Sequence, residues 1–282
     1  MNRSCVILNP FARGARGGDL PVALARMGRG MVVRTTEAAG HAEVLAREAV
    51  QEGFETVVAA GGDGTLNEVL AGLDGAAVPL GVLPLGTMNV FAREHGIPLD
   101  WEDALARILR GRVQRVDLGD AGGMPFAQLA GVGFDARVIE GVSSRAKRIW
   151  GAAAYGFAAI REMTRSQAPL KVTAEGFPAQ TAEWVLVGLG RFYGGGFSVF
   201  PRGNPTDGLL DVLLVKRLSP WLGVGALAGV PWGLHTRLPG VEYVQTRRLR
   251  VEGEAGWELD GEWRGGGTVE FSVKPRALQV LL

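Results

Sequence analysis

The chain is 282 residues long, 47% hydrophobic and 21% charged, with a formal net charge of +1 and a single cysteine. This composition suits a globular protein with a sizeable core, long enough for two domains, and argues against a disordered chain or a dedicated nucleic-acid binder. Cys5 alone cannot form an intrachain disulfide, so a reducing, cytoplasmic setting is expected.

The first apolar run, Cys5 to Leu8, is too short for a signal peptide, and no 18-residue apolar span follows it. A soluble protein with at most peripheral membrane contact is therefore expected. Charge is unevenly spread. Residues 1–120 hold 12 Arg, no Lys and 15 acidic residues, a net −3, which leaves +4 for residues 121–282. The second half is thus mildly suited to an anionic surface.

In chain order, Ser4–Leu8 reads as a strand, followed by a Gly/Arg-rich loop and a helix around Leu20–Met27. Met31–Arg34 is a second strand and His41–Glu52 a helix. Thr56–Ala60 is a third strand, ahead of a helix that opens at Thr65. Leu80–Leu83 is a fourth, turned by Pro84–Thr87 into a helix near Met88–Glu94. Alternation of this kind predicts a Rossmann-like parallel α/β sheet that binds ligands at the carboxyl ends of its strands. Three loops meet there: Asn9–Gly14, Gly61–Thr65 and Leu85–Asn89.

After Asp117-Leu118-Gly119 the pattern changes to short β-like runs between glycine-rich turns: 126–132, 170–174, 184–189, 209–215, 247–252, 257–259, 269–273 and 278–282. These predict an antiparallel sandwich or barrel, interrupted by helices near Ser144–Arg165 and Pro220–Leu227. The expected domains are 1–120, binding nucleotide, and 121–282, a β-sandwich for substrate, with the last strand packing back near the first domain.

The most informative stretch is 58–70, VAAGGDGTLNEVL. A strand that turns through glycines into a helix presents unpaired N–H groups and the positive end of a helix dipole, which suits phosphate. Gly61, Gly62 and Gly64 let the backbone approach an anion and adopt positive φ. Asp63 beside phosphate implies Mg²⁺ between them, or contact with a ribose hydroxyl; an ordinary tight turn is the plain alternative. Gly86-Thr87-Met88-Asn89 repeats the design, and Asn9-Pro10 opens a third turn. Neither GxxxxGK[ST] nor GxGxxG occurs.

Later in the chain, Leu259-Asp260-Gly261-Glu262 places two carboxylates in a tight turn. They could orient and deprotonate an alcohol, or simply decorate a hairpin. Asn204–Leu209 reads as a hairpin or a small oxygen-ligand cation site. His41, His95 and His235 are scattered without metal-ligand spacing, and there is no GxSxG. Arg145, Lys147 and Arg148 beside Trp150 and Tyr155 could form a basic, aromatic membrane-facing helix, or the solvated basic end of a helix packed on the sheet. Trp221 and Trp232, around Leu222–Val230, invite the same two readings.

Together these residues resemble the diacylglycerol kinase catalytic-domain family, and within it the soluble bacterial lipid kinases related to sphingosine kinases. The similarity runs nearly end to end. It rests on Leu8-Asn9-Pro10, Thr36-Glu37, GGDGTLNE at 61–68, LPLGTMN at 83–89, Val116–Gly119, Asp207–Asp211 and LDGE at 259–262. GGDGT is shared with NAD kinases and phosphofructokinases; the DGxLDV stretch and the late DGE narrow the likeness.

The resemblance implies ATP- and Mg²⁺-dependent phosphorylation of a lipid alcohol, such as diacylglycerol, at the cytoplasmic membrane surface. It implies ATP between an α/β domain and a β-sandwich domain. By matching position, Asn9, Thr36, Gly61, Gly62, Asp63, Gly64, Thr65, Leu66, Asn67, Glu68, Gly86, Thr87 and Asn89 would form the ATP site. Asp63 would act through Mg²⁺, with Asp117 in support. Asp260 would be the base for the lipid hydroxyl, with Glu262 as its partner or the alternative base. Asn204, Asp207 and Leu209 would hold a structural Mg²⁺. Val90 stands where many relatives carry Asp, and the first loop reads NPFARG where NPxSG is commoner. The other readings are a kinase of a soluble acceptor, in the manner of NAD kinase, and a catalytically silent nucleotide- or lipid-binding module. The lipid acceptor is left open, and so is the oligomeric state, a homodimer included.

Overall fold

A computed structural model describes residues 3–15, 20, 24, 30–141, 161–163, 165, 168–194 and 196–282. The helices expected at Leu20–Met27 and Ser144–Arg165 lie largely outside the described residues, as do Arg145, Lys147, Arg148, Trp150 and Tyr155. The chain divides into two units, one of residues 1–118, 194–196 and 274–282, the other of residues 119–193 and 197–273.

In the first unit, strands β1 (Ser4–Leu8), β2 (Met31–Thr35), β3 (Thr56–Gly61) and β4 (Leu80–Pro84) form a parallel sheet in the order β2-β1-β3-β4. Every residue of β1, β3 and β4 is buried, whereas the edge strand β2 is partly exposed. Continuous apolar runs are what strands covered on both faces require. The helix His41–Gln51 buries Ala42, Leu45, Ala46 and Ala49, the stripe that a 3.6-residue period places on one side. It packs on the helix Asp63–Leu73, where a Cβ at Gly72 would fall 2.2 Å from the Glu43 carbonyl oxygen.

The helix Trp101–Leu109 has no counterpart in the expected elements. Asp100 caps it, accepting from the N–H groups of Glu102 and Asp103 at 2.9 and 3.1 Å, and Ala104, Leu105 and Ile108 face inward. The helix expected to open at Thr65 opens two residues earlier, at Asp63, and the one expected near Met88 is the single turn Val90–Glu94.

The second unit is antiparallel. It contains β6 (Met124–Phe126), β7 (Leu129–Gly133), β8 (Leu170–Ala174), β9 (Gln180–Ala182), β10 (Trp184–Gly188) and β11 (Phe192–Tyr193). Next come β12 (Phe197–Ser198), β13 (Leu210–Val215), β14 (Val241–Thr246), β15 (Arg248–Glu252), β16 (Gly256–Leu259) and β17 (Glu262–Gly266). The strand β5 (Val113–Ala121) enters this unit from the first, and β18 (Val269–Leu281) begins here and ends in the first.

Six strands form one sheet in the order β14-β13-β10-β7-β16-β17. Facing it are β15, β8, β9 and the first residues of β18, paired antiparallel. Ala130, Val132, Val185, Val187, Val212 and Trp257 from the first layer meet Leu170, Val172, Leu249, Val251 and Phe271 from the second in one buried cluster. The alternation of inward apolar residues makes this a sandwich.

The run expected at 126–132 is two strands, because the chain leaves β6 at Phe126 and enters a different sheet at Leu129. Conversely, 269–273 and 278–282 are two ends of the one strand β18, whose intervening residues are mostly exposed. The helix Pro220–Gly229 starts behind Ser219, whose hydroxyl accepts from Leu222 N–H at 3.1 Å.

Candidate active site

In the first unit β1, β3 and β4 are adjacent and parallel, so the loops that leave their carboxyl ends emerge side by side. The loops are tied to each other. Asn9 Nδ2 donates to Thr65 Oγ1 at 3.1 Å, and Asn9 Oδ1 accepts from Phe11 N–H at 2.9 Å. Gly14 N–H donates to the Leu85 carbonyl at 2.9 Å, and Leu85 N–H to the Gly61 carbonyl at 2.8 Å. Phe91 N–H reaches Asp63 Oδ1 at 3.5 Å, a long contact between the first turns of two helices.

The glycines work differently from expectation. Gly61, Gly62 and Gly64 do not have positive φ. Gly62 and Gly86 instead lie backbone against backbone, so that a Cβ at Gly86 would fall 2.6 Å from Gly62 Cα. A Cβ at Gly61 would fall 2.4 Å from Thr65 Oγ1. Gly62 and Gly86 serve closeness between loops and Gly61 leaves room for Thr65, none of them through an unusual backbone angle.

The first hydrogen bond of the helix Asp63–Leu73 is Leu66 N–H to the Gly62 carbonyl at 3.1 Å. The Gly64 and Thr65 N–H groups therefore come before it and point off the helix N-terminus. Asp63 is half-buried, while Gly64 and Thr87 are exposed. Leu66, Asn67 and Thr36 are buried, and the only hydrogen-bond donor of Leu66 is used within the helix. Thr36 N–H donates to the Leu8 carbonyl at 2.9 Å.

Three polar residues of the expected site hold structure. Glu68 Oε2 accepts from Ala42 N–H at 3.0 Å, capping the helix His41–Gln51, whose own Gly40 supplies no side-chain cap. Asn89, left-handed at φ 48°, accepts from Gly86 N–H at 3.0 Å and donates to the carbonyls of Pro84 and Gly86 at 3.3 and 3.1 Å. Its side chain folds the loop around itself. Asp117, buried on β5, accepts from Arg276 N–H at 2.8 Å where β18 turns through φ 52°.

In the second unit, Asp260 and Gly261 are the two residues between β16 and β17, with φ 50° and 86°. Two left-handed residues in a two-residue hairpin loop match the strand twist, which is why Asp-Gly suits it. The Asp260 carboxylate bends back over β7: Oδ1 accepts from Leu129 N–H at 2.7 Å and Oδ2 from Ala127 N–H at 3.2 Å. Its orientation is fixed by backbone on both oxygens. Glu262, half-buried like Asp260, pairs with Arg264 at 2.7 Å.

Two carboxylates absent from the expected site lie beneath this turn. Glu258, on β16 and fully buried, accepts from Gly261 N–H through Oε2 at 2.7 Å. Asp135, in the first turn of the helix Phe134–Gly141, is buried beside it. Burial pushes Asp135 up to about 7. Burial, and then the charge of Asp135, push Glu258 well above the ordinary carboxylate range. The available signal was a lone Glu among the apolar residues of a short strand, which burial makes costly unless it has a task.

The Asn204–Leu209 loop closes on itself. Asn204 Oδ1 accepts from Thr206 N–H and Oγ1 at 3.2 and 2.8 Å, and Asp207 Oδ1 accepts from Leu209 N–H at 3.0 Å. Asp211 follows at zero exposure, its Oδ1 taken by the Tyr243 hydroxyl and by Gln245 at 3.0 Å, its Oδ2 buried without a partner among the described residues. Among the described residues no three His, Cys, Asp or Glu side chains form a metal cluster.

Residues 3–121 match the model of the diacylglycerol kinase catalytic domain, and residues 128–282 that of the YegS C-terminal NAD kinase beta sandwich-like domain. A Pseudomonas putida protein named "Probable lipid kinase YegS-like" is 38% identical over 258 residues, 89% of this chain and 84% of its own. One of the same name from Pseudomonas aeruginosa PAO1 is 34% identical over 300 residues, covering 100% of this chain and 95% of its own. In fold, the chain is similar to the crystal structure of a "putative diacylglycerol kinase" from Bacillus anthracis str. Sterne, with a TM-score of 0.82 at 23% identity, over 99% of this chain and 95% of the other. By the matched domain models and the identity to these relatives, the chain belongs to the YegS-like lipid kinases, with a diacylglycerol kinase catalytic domain ahead of a β-sandwich-like domain.

Proposed function

We propose that this lipid kinase transfers the γ-phosphoryl group of ATP, with Mg²⁺, to a lipid hydroxyl at a membrane surface. The observation that carries the reading is the set of three interlocked loops at the carboxyl edge of β1, β3 and β4. Gly62 and Gly86 leave no side chain there, the Gly64 and Thr65 N–H groups point outward, and the Asp63 carboxylate stands at the same helix N-terminus. That set fits phosphate with a cation beside it. When bound, Mg²⁺ neutralises charge on the phosphates.

The chain's own residues do the remaining work. Amide N–H groups at the two loops orient the phosphates, and Asp63 and Thr87 complete the polar lining. Asp260, held by Ala127 and Leu129, accepts the proton of the lipid hydroxyl as its oxygen bonds to γ-phosphorus. The bridging P–O bond breaks and ADP leaves with the electron pair. Glu262, paired with Arg264, stands beside the base. The Asn204–Leu209 loop fits a structural cation by one mark, the orphaned Asp211 Oδ2 just beyond it.

Membrane contact is assigned to residues 220–234. The helix Pro220–Gly229 carries no charge, and Trp221 (84% exposed), Val224, Leu227 and Trp232 (75% exposed) stand out of the fold. Exposed tryptophans on an apolar segment suit the headgroup boundary, and the exposed Arg217 and Arg237 flank it in sequence. No helix among the described residues is long and apolar enough to cross a membrane.

The test is transfer of labelled γ-phosphate from Mg·ATP to mixed-micelle lipid alcohols, with NAD as a soluble control. Labelled lipid is expected, and label on NAD alone overturns the reading. Asp260→Asn is expected to lower turnover by about 10²–10⁴-fold with ATP binding intact; unchanged turnover removes Asp260 from the chemistry.

A further inference from the structure

We propose that Asp135 and Glu258 jointly hold one proton and, as a unit, fix the Asp260–Gly261 turn, making them positioning residues that set the upper pH limit of turnover. The inference rests on the reading of Asp260 as the base, and adds to it the device that holds the base in place.

The geometry starts at Gly131. It stands opposite Glu258 in the β7–β16 register. A Cβ there would fall 2.8 Å from Asp135 Oδ2 and 2.8 Å from Glu258 Oε1, so the two oxygens lie within twice that distance of each other. The bare glycine is what admits both carboxyl groups to one buried spot. Asp135 is 5% exposed and Glu258 1%, and among the described residues Asp135 Oδ2 has no hydrogen-bond partner.

Around the pair among the described residues stand Trp184 on β10, Asp260 in the turn and Arg264 on β17. The indole of Trp184 favours the charged form of Asp135 without completing a hydrogen bond of ordinary geometry. Arg264 favours that of Glu258, but it is already paired with Glu262. Among the described residues, no cation other than Arg264 acts on the pair. Two carboxylates this close and this buried do not both ionise readily, so the pair retains a proton where single carboxylates have lost theirs.

The retained proton has a structural consequence. With one proton kept by the pair, a single charge lies beneath the turn while Glu258 Oε2 accepts from Gly261 N–H at 2.7 Å. That bond fixes the left-handed turn from below while Ala127 and Leu129 fix the Asp260 carboxylate from above. Loss of the last proton sets two negative charges close together in one buried spot; Gly261 N–H favours the charged form of Glu258, and the repulsion from Asp135 works against the arrangement that holds the turn.

The experiment compares wild type, Asp135→Asn and Glu258→Gln by the pH profile of kcat/KM and by melting temperature against pH. In wild type, kcat/KM is expected to fall on the alkaline side. Asp135→Asn, which keeps the shape and deletes one charge, should retain activity at neutral pH within about threefold and move the alkaline limb up by at least about one pH unit. Glu258→Gln, which keeps an acceptor for Gly261, should do the same, whereas Glu258→Ala should lose at least about tenfold at every pH.

Stability gives the second readout. A carboxyl whose folded pKa is raised is favoured in the fold while protonated, and that advantage is lost as pH rises from the ordinary carboxylate range through the raised value, about 7 for Asp135. The wild-type melting temperature should therefore fall between pH 5 and 8 more steeply than that of Asp135→Asn. Superimposable pH profiles and melting slopes for wild type and Asp135→Asn overturn the proposal. If the slopes differ as expected but Asp260→Asn turns over like wild type, the proton-holding pair stands and the assignment of the base is what fails.

Discussion

The two polar centres of this chain are held together by opposite means. In the first unit, loops from β1, β3 and β4 are locked by absence: Gly62 and Gly86 meet where neither carries a side chain, and Gly61 makes way for Thr65. In the second unit the turn at Asp260–Gly261 is locked by presence, with carboxylate oxygens from Asp260 and Glu258 accepting three backbone N–H groups. On the proposed function, the first centre would gain from exposed amides with nothing in front of them, whereas the carboxylate proposed as base must itself be aimed. The first centre should therefore fail when atoms are added, and the second when acceptors are taken away.

The sharpest way to break the comparison is Gly86→Ala. The added methyl would overlap Gly62 Cα, so one loop must move, and a displacement of about 1 Å in a positioning loop costs on the order of 10²-fold in turnover. Labelled-phosphate assays should show that loss with little change in far-UV circular dichroism; an Ala variant as active as wild type would show that closeness of the loops is dispensable.

A smaller effect is expected from Asp117→Ala, which removes an acceptor in the first unit and leaves the Arg276 N–H without its partner. A loss of about 1–3 kcal/mol in denaturant unfolding is expected. Smallest is Glu68→Ala, which uncaps the helix His41–Gln51 for about 0.5–2 kcal/mol. Glu68→Gln, which keeps an acceptor oxygen, should recover most of it. If both Glu68 variants instead weaken ATP binding at unchanged stability, Glu68 serves nucleotide rather than the helix.

The same contrast explains what could be read from the sequence. Strands β1, β3 and β4 are buried on both faces and so write themselves as unbroken apolar runs, and the loops that follow them were legible from that alone. The glycines in those loops were legible as necessary but not for the right reason, because their constraint is a contact between residues 62 and 86 that no local pattern contains. The helix Trp101–Leu109 was signalled by Asp100 and the spacing of Ala104, Leu105 and Ile108, yet its single isolated stripe is easily passed over. The Asp135–Glu258 pair was beyond reach. It exists because β7 and β16 pair in a register that brings Gly131 opposite Glu258, and register between distant strands is a tertiary property.

Residues 274–282 are counted with residues 1–118. On the ribosome, β1 to β4 emerge long before β18, so the parallel sheet must wait with one flank of β4 unmatched while the whole antiparallel unit is still being made. Val280, which pairs with Leu80, supplies that flank only after synthesis has passed it. An exposed parallel edge is a template for strands of other chains, so vectorial synthesis makes the first unit the last to be completed and gives its nascent form the greater need of a chaperone.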